Sequence, residues 1–205
     1  MAIKPILFNT EMVQAILDGR KTCTRRVAKN VPDHTHRIEP VYENGRFQFD
    51  CFYSSYVAAL DADADFCMPC FPPYQQGDIL YVRETFIQAA AHTFWYKADD
   101  NSWMPEGLHW KPSIHMPKEA ARIWLKVTDV RVERLQDMTD DDAEAEGCFD
   151  YTSTALGFPD VWDSTIKKSD IGRCGWAANP WVWVVEFERC EKPREGWNRS
   201  TKYES

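Results

Sequence analysis

The longest strand pattern of the chain is RIWLKVTDVRVERL, residues 122–135. Its aliphatic side chains recur at every second position and then shift by one residue: Ile123, Leu125 and Val127, then Val130 and Val132. Alternation with a period of two predicts a β-strand with one buried face, and the extra residue predicts a β-bulge. We therefore predict a long, bulged strand over roughly Arg122 to Leu135.

Three shorter segments on either side of this strand show the same period. They are residues 79–85, 94–98 and 181–188. On one face of the first segment stand Leu80, Val82 and Glu84. Successive side chains of a strand point to opposite faces, so this pattern places a carboxylate directly after two aliphatic residues on a buried face.

Three other segments have the period of amphipathic helices. They are residues 9–19, residues 139–147, which begin with acidic residues and end in glycine, and residues 158–166. These helices do not alternate regularly with the strands, and the sequence contains no glycine-rich phosphate loop. The arrangement predicts an α+β fold built on a small, largely antiparallel β-barrel with flanking short helices.

A chain of 205 residues is long enough for one enlarged domain, so we assign residues 1–205 to a single domain. Two parts lack a clear period and are predicted to be irregular insertions, at about 30–73 and at about 99–118. Within the first, Asn44-Gly45 predicts a hairpin and residues 53–60 predict a short helix. The polar tail from about 191 is predicted to be loose.

The chain is acidic, because 24 Lys and Arg against 32 Asp and Glu give a net charge of -8. This charge disfavours broad binding of duplex DNA, which needs a wide cationic face, but it is compatible with a local basic patch. The longest apolar run, Trp181 to Val185, is far shorter than the roughly 20 residues of a membrane span, and no secretory signal is evident. We therefore predict a cytoplasmic protein without a membrane partner, whose cysteines are reduced.

Positive charge is concentrated between Arg20 and Lys29, where five cations occur without an acidic residue. This run contains GRKTCTRR, residues 19–26, which has the form GxKxxTxR directly after the first predicted helix. The motif resembles the signature of the ASCH domain family, whose fold is a PUA-like β-barrel. The resemblance extends to residues 77–84, to the strand around 125–130 and to the helix at 139–147. The longer form with insertions is similar to the larger ASCH proteins carried by bacteriophages and prophages.

The resemblance implies either binding of RNA or a modified nucleobase in a cleft of the barrel, or hydrolysis in that cleft. Small bacterial ASCH proteins include N4-acetylcytidine amidohydrolases, in which a lysine, a threonine and a glutamate form the catalytic set. The matching positions in this sequence are Lys21, Thr24 and Glu84. This chain is much longer than those enzymes, so its insertions are expected to cover or rebuild the cleft.

These residue types suit acyl transfer. A threonine hydroxyl attacks an amide only when a base removes its proton, and a lysine is a base only in its neutral form. The cations of Arg25 and Arg26 favour that form. We therefore predict an amidohydrolase acting on the linear amide of N4-acylcytidine or a related modified nucleobase. In it Thr24 is the nucleophile, Lys21 is the base, and Glu84 is the acid or contacts the cytosine edge.

The predicted substrate-binding residues are Arg25, Arg26, Tyr81, Trp110 and His115. Arg26 is expected to orient the substrate, and aromatic rings stack on unpaired bases. The same residues suit a second hypothesis, a non-catalytic module that binds a nucleoside, single-stranded RNA or a modified base. A third hypothesis is a host-interaction scaffold of phage origin whose cleft is plugged by the insertions.

The predicted chemistry requires no cofactor. Cys67 and Cys70 have the CxxC spacing of half a zinc site, which Cys51 or His36 in the same insertion would complete. The sequence has no second CxxC, and unpaired thiols in a packed loop are the alternative. Cys23 in the basic run is another candidate nucleophile, although the neighbouring threonine fits the motif better. Oligomeric state is left open.

Overall fold

The computed structural model describes residues 1–32, 34–43, 46–54, 65–104, 107–148 and 157–194. The strands are β1 (Ile3–Leu7), β2 (Cys23–Val27), β3 (Thr35–Glu43), β4 (Arg46–Ser54), β5 (Asp65–Cys70), β6 (Ile79–Arg83), β7 (Phe86–Ala90), β8 (Thr93–Tyr96), β9 (Trp124–Arg134) and β10 (Trp181–Cys190). The α-helices are α1 (Thr10–Leu17), α2 (Asp140–Ala145), α3 (Phe158–Thr165) and α4 (Ile171–Cys174). Short 3-10 helices span Ser113–His115, Lys118–Ala120, Leu135–Asp137, Lys168–Asp170 and Trp176–Ala178. Many strands with few, short helices confirm the predicted α+β class.

Five strands form the main sheet in the order β1-β6-β9-β10-β2. The β1–β6 pair is parallel and the other three pairs are antiparallel. Across the described residues β1 and β2 are the two edges, so the sheet is open and does not close into the predicted barrel. Just before β2, the Thr22 N–H donates to the Ala145 carbonyl of α2 at 2.8 Å, so this helix lies beside the β2 edge.

The bulge predicted in the long central strand is confirmed. The register between β10 and β9 shifts between Glu186 and Phe187, which lie opposite Asp129 and Val127. Thr128 is thus the extra residue, at the point where the aliphatic alternation of the sequence shifts.

The predicted two-sided pattern of the 79–85 strand is also confirmed. Leu80 and Val82 of β6 are fully buried in the main core, together with Leu125 and Val127 of β9. Glu84 follows them and is 1% exposed. A carboxylate this deeply buried requires a charged or hydrogen-bonding partner.

The first insertion is not irregular, so that prediction is wrong. β3, β4 and β5 form an antiparallel three-stranded sheet. Phe49 and Cys51 of β4 are buried, and the Phe49 ring lies 5.1 Å from the ring of Trp183 in β10. Burial against the main sheet stabilises strands whose alternation is interrupted in the sequence by prolines and turn residues.

Two local predictions fall within this insertion. The hairpin at Asn44-Gly45 is confirmed by pairing of Glu43 with Arg46, while its turn lies outside the described residues. β4 continues to Ser54, so a helix does not start at residue 53. The rest of that predicted helix, residues 55–60, lies outside the described residues.

The three helices predicted from the sequence are confirmed. α1 begins after Asn9, whose side chain accepts a hydrogen bond from the Met12 N–H. α2 has a capping box between Thr139 and Asp142, and α3 carries Pro159 in its first turn. In the described part of the chain, every helix is too short or too polar to span a membrane.

The second insertion covers a small hairpin formed by β7 and β8. The predicted strand at 94–98 is β8, whereas β7 had not been predicted. Lys111 forms a bridge with Phe86, and the side chain of Met116 is buried beside β6. The N–H of Glu84 donates to the Met116 sulfur at 3.1 Å. The insertion therefore closes over the end of β6.

Candidate functional site

The loop between α1 and β2 carries the basic motif and is tied to two helices. The N–H of Lys21 donates to the Ala15 carbonyl of α1 at 3.0 Å, and the N–H of Thr22 donates to Ala145 of α2. Because α1 ends before Lys21, this lysine and Thr24 lie on a loop and on a strand rather than on one helical face.

Lys21 is buried beneath this loop, with a fully buried side chain. Its Nζ lies 2.5 Å from Oε2 of Glu146 and donates to the Glu146 carbonyl oxygen at 2.9 Å. The ring of Phe8 lies 5.5 Å from the same Nζ. The amine predicted to be the base is therefore buried and already in contact with a carboxylate.

Arg25 was predicted to contact substrate, but its guanidinium is held within a cluster of carboxylates. Its Nη2 lies 2.7 Å from Glu133 and 3.0 Å from Asp142, and its Nη1 lies 3.6 Å from Oε1 of Glu146. Arg131 pairs with Glu133 and Asp142 as well. This cluster joins β2, β9 and α2, so Arg25 supports the framework of the site.

A pocket of about 30 Å³ lies at this edge of the sheet, between β2 and α3. Its lining includes Thr24, Arg26 and Glu146 on one side and Phe158 and Trp162 of α3 on the other. Oε1 of Glu146 is buried and has no hydrogen-bond partner among the described residues. The pocket therefore brings together a threonine and a carboxylate that retains an unused acceptor oxygen.

Two predicted substrate contacts, Arg25 and Arg26, are among the residues that line this pocket, and Arg26 is the one outside the carboxylate cluster. Its guanidinium lies 5.4 Å from the Phe8 ring, and its Nη2 donates to the Leu7 carbonyl at 2.9 Å. Arg26 is half-buried, so part of its side chain remains open to a ligand.

The other predicted contacts lie elsewhere. Tyr81 packs its ring 6.0 Å from Trp124, on the face of β6 opposite the main core. Trp110 and His115 belong to the second insertion, where His115 ends an exposed 3-10 turn. None of these three side chains is among the described residues that line the Thr24 pocket.

Glu84 is engaged by Arg122 rather than by Lys21. Its Oε1 accepts from Nε and its Oε2 accepts from Nη2 of Arg122, both at 2.9 Å. Arg122 also binds Asp99. Among the described residues, those that line the Thr24 pocket do not include Glu84. The predicted trio is thus divided between two buried ion-pair groups.

The buried Glu84 carboxylate leads to a prediction for stability against pH. Burial raises the pKa of Glu84, although the hydrogen bonds and charge of Arg122 act in the opposite direction. The folded state then binds the proton more tightly than the unfolded chain does. Hence the free energy of unfolding should fall as the pH rises through the range just above 4.5, the ordinary pKa of the group.

We expect Glu84→Gln to remove this part of the pH dependence, because glutamine does not titrate. Urea unfolding at a series of pH values measures it. Glu39→Gln, at an exposed ion pair with Arg37, is the control and should keep the wild-type slope. An unaltered slope in Glu84→Gln would contradict the prediction.

Glu146 is the residue of the candidate site that sequence analysis missed. It is the C-cap of α2, where a negative side chain faces the negative end of the helix dipole. An acidic residue is unfavourable at this end of a helix, so its presence there indicates a positively charged partner elsewhere in the fold. The partner, Lys21, lies 125 positions earlier in the chain, so sequence spacing did not reveal it.

Gly147 fixes the position of α2 against this site. Its φ is +88°, and an added Cβ would lie 2.8 Å from the Cβ of Ala15 and 3.4 Å from the Cβ of Lys21. Gly19 has a similar φ of +76° but open space around it. A substitution at Gly19 therefore tests the left-handed backbone alone, whereas a substitution at Gly147 adds steric overlap.

We expect Gly19→Ala to lower the free energy of unfolding by about 1 kcal/mol, through the left-handed backbone alone. Gly147→Ala should cost a further 1–3 kcal/mol or so, because the overlap displaces α2. Urea unfolding of both variants gives the comparison. Equal losses would show that α2 is not held closely against α1.

The cysteines offer neither the alternative nucleophile nor the zinc half-site. Burial raises the pKa of Cys23 to about 12, so its thiol stays protonated near neutral pH. Cys67 and Cys70 lie on strand β5 rather than in a loop, and three residues apart on a strand they face opposite sides. Accordingly Cys67 is exposed whereas Cys70 is buried beside Cys51. In the described part of the chain, no three His, Cys, Asp or Glu side chains are grouped to hold a metal.

Comparison of the chain with protein-family models, with curated proteins and with solved structures gives no match. The resemblance to the ASCH family therefore rests on the sequence alone, on the GxKxxTxR motif and on the stretches at 77–84, 125–130 and 139–147. Thr24 and Arg26 of that motif line the pocket, and Lys21 is joined to it through Glu146.

Proposed function

We propose that this protein is an amidohydrolase that removes a small N4-acyl group from cytidine or a related modified nucleobase, with Thr24 as nucleophile. The observation that carries the proposal is the pocket shared by Thr24 and Glu146, in which a buried carboxylate oxygen lacks a hydrogen-bond partner among the described residues. The motif resembles that of ASCH proteins, and this resemblance suggests both the substrate class and a PUA-like fold.

In this proposal the Glu146 carboxylate is the base, and its ion pair with Lys21 holds it in place. The proton of the Thr24 hydroxyl passes to Oε1 of Glu146 as the Thr24 oxygen bonds to the acyl carbon. The C–N bond then breaks, and Glu146 returns the proton to the leaving exocyclic amine. Water finally hydrolyses the acyl-threonine ester. This chemistry takes no cofactor.

The pocket volume restricts what enters it. A space of about 30 Å³ admits a group of roughly the size of a water molecule or a short acyl chain, and a whole nucleobase is too large. We therefore place the acyl group in the pocket and the base outside it, beside Arg26. Acetyl derivatives should accordingly be better substrates than bulky acyl derivatives.

The test is to incubate the protein with N4-acetyl-, N4-propionyl- and N4-benzoylcytidine and to follow release of cytidine by chromatography. We expect the acetyl compound to be cleaved fastest and the benzoyl compound to remain intact. Absence of cleavage of all three compounds would reject the hydrolase.

A second candidate is a non-catalytic module that binds a modified base or single-stranded RNA. The observation favouring it is that Lys21 Nζ is already held by the Glu146 carboxylate at 2.5 Å and is absent from the described residues that line the Thr24 pocket. This candidate predicts that N4-acetylcytidine or RNA binds and is recovered unchanged. Filter binding at graded salt concentrations distinguishes it, since phosphate contacts weaken as salt rises.

A further inference from the structure

A second and larger cavity lies at the other end of β2. It has a volume of about 590 Å³, within the range of small-molecule sites in proteins. Its wall is formed by the end of β2 and the residues after it, by Trp181 at the start of β10, and by the α4 segment. The charged residues that line it are Lys29, Arg134, Arg173 and Asp170. In a chain with a net charge of -8, a cavity with three cations and one acidic residue is a local positive site.

Arg134 is held rigidly in this cavity. Its guanidinium lies 4.3 Å from the centre of the Trp181 ring. Its Nη1 donates to the Asn179 carbonyl at 3.1 Å, and its Nη2 donates to the Thr35 carbonyl at 3.2 Å. Trp181 is fixed in turn, because its ring N–H donates to the same Thr35 carbonyl. Ordering of both side chains before a ligand arrives lowers the entropy cost of binding.

Arg134 also differs from Arg25 and Arg122 in having no carboxylate of the described residues at ion-pair distance. Arg25 and Arg122 are neutralised by carboxylates at 3.0 Å or less. Among the described residues, Arg134 forms no ion pair, and its two hydrogen bonds go to neutral carbonyls. A guanidinium has five N–H donors, so three of them remain for another acceptor. Burial lowers the pKa of Arg134, and the charge of Asp137 acts in the opposite direction.

We propose that this cavity is a binding site for a phosphate group, in which Arg134 is the principal contact and Lys29 adds a second charge. The planar fork of a guanidinium matches two oxygens of a phosphate, and the bonds are charge-assisted. Lys29 is exposed at the rim and forms no ion pair with the described residues. Its compact ammonium suits a second phosphate oxygen. The site is separate from the Thr24 pocket and does not depend on the proposed hydrolysis.

Isothermal titration calorimetry at low ionic strength tests the site with three probes: inorganic phosphate, cytidine 5′-monophosphate and cytidine. Both phosphate-bearing probes should bind, whereas cytidine should not. Tighter binding of the nucleotide assigns the site to a nucleotide phosphate, and equal binding assigns it to the free anion. Absence of heat from both phosphate-bearing probes at millimolar concentration would overturn the proposal.

Single substitutions test whether phosphate binds in this cavity. Arg134→Gln should weaken phosphate binding about tenfold or more, and Lys29→Gln about threefold. Asp170→Asn should strengthen binding, because a repelling carboxylate is removed. Arg37→Gln, which removes an exposed arginine outside the cavity, is the matched control and should bind as the wild type does. Since Lys29 is exposed, its variant stays informative even if Arg134→Gln unfolds. Wild-type affinity in both the Arg134 and the Lys29 variants would overturn the proposal.

Discussion

Glu146→Leu is expected to lower the free energy of unfolding by about 3–5 kcal/mol, the largest stability effect we predict for a single substitution. The reason is that the Lys21 side chain is fully buried and Glu146 is its carboxylate partner at 2.5 Å. Removal of that partner leaves an uncompensated ammonium inside the protein. Arg25 also loses Glu146, which lies 3.6 Å from its Nη1, but it retains Glu133 and Asp142, so most of the loss arises at Lys21. Urea unfolding measures it.

A double-mutant cycle tests the cause of this loss. Lys21→Met should also destabilise the protein, since it leaves the buried Glu146 carboxylate with only Arg25, 3.6 Å away, as a charged neighbour. The double variant Lys21→Met/Glu146→Leu removes both charges and should return to within about 1 kcal/mol of the wild type. Glu39→Gln, at an exposed ion pair, should change stability by less than about 1 kcal/mol. If the double variant loses the sum of the two single losses, the ion pair is not what stabilises this region.

Thr24→Val is expected to reduce deacylation of N4-acetylcytidine about a thousandfold or more, the largest effect on activity. Valine keeps the shape of threonine but has no hydroxyl with which to form the acyl-enzyme. Thr24 is 1% exposed, and valine in a buried strand position should keep the protein folded. Thr24→Ser retains the hydroxyl and should keep measurable activity. The measurement is the rate of cytidine release at saturating substrate.

The neighbouring threonine provides a matched control. Thr22 lies two residues earlier in the same motif and is exposed, so Thr22→Val makes the same chemical change outside the pocket. It should retain wild-type activity. A folded Thr24→Val variant that cleaves N4-acetylcytidine at the wild-type rate would exclude Thr24 as nucleophile. Wild-type protein that binds the compound and releases it unchanged would favour the binding module.

Hydrophobic periodicity predicted strands and helices correctly where one face of the element is buried. The alternation in residues 122–135 predicted β9 and its bulge, because a core on one side of a strand demands an apolar residue at every second position. It failed for β3 to β5, whose prolines and turn residues suggested a loop. These strands depend on contacts such as Phe49 with Trp183, which are far apart in the chain.

The candidate site, too, was predicted only in part from the sequence. The GxKxxTxR motif singled out Lys21, Thr24 and Arg26 without a structure. It did not indicate that Glu84 pairs with Arg122 or that Lys21 pairs with Glu146. Charge interactions fall off over a few ångströms, so a partner is defined by distance in space and not by separation in sequence.

The sequence by itself determined the α+β class, the helices that flank the sheet, the buried face of β6 and the basic motif at the start of β2. These are local properties, because hydrophobic period, caps and charge composition are all carried by neighbouring residues. Only the tertiary structure decided which carboxylate meets which cation, that the sheet stays open at β2, and that Arg134 lacks an acidic partner among the described residues. These properties follow from strand order and helix docking, which bring together residues that lie far apart along the chain.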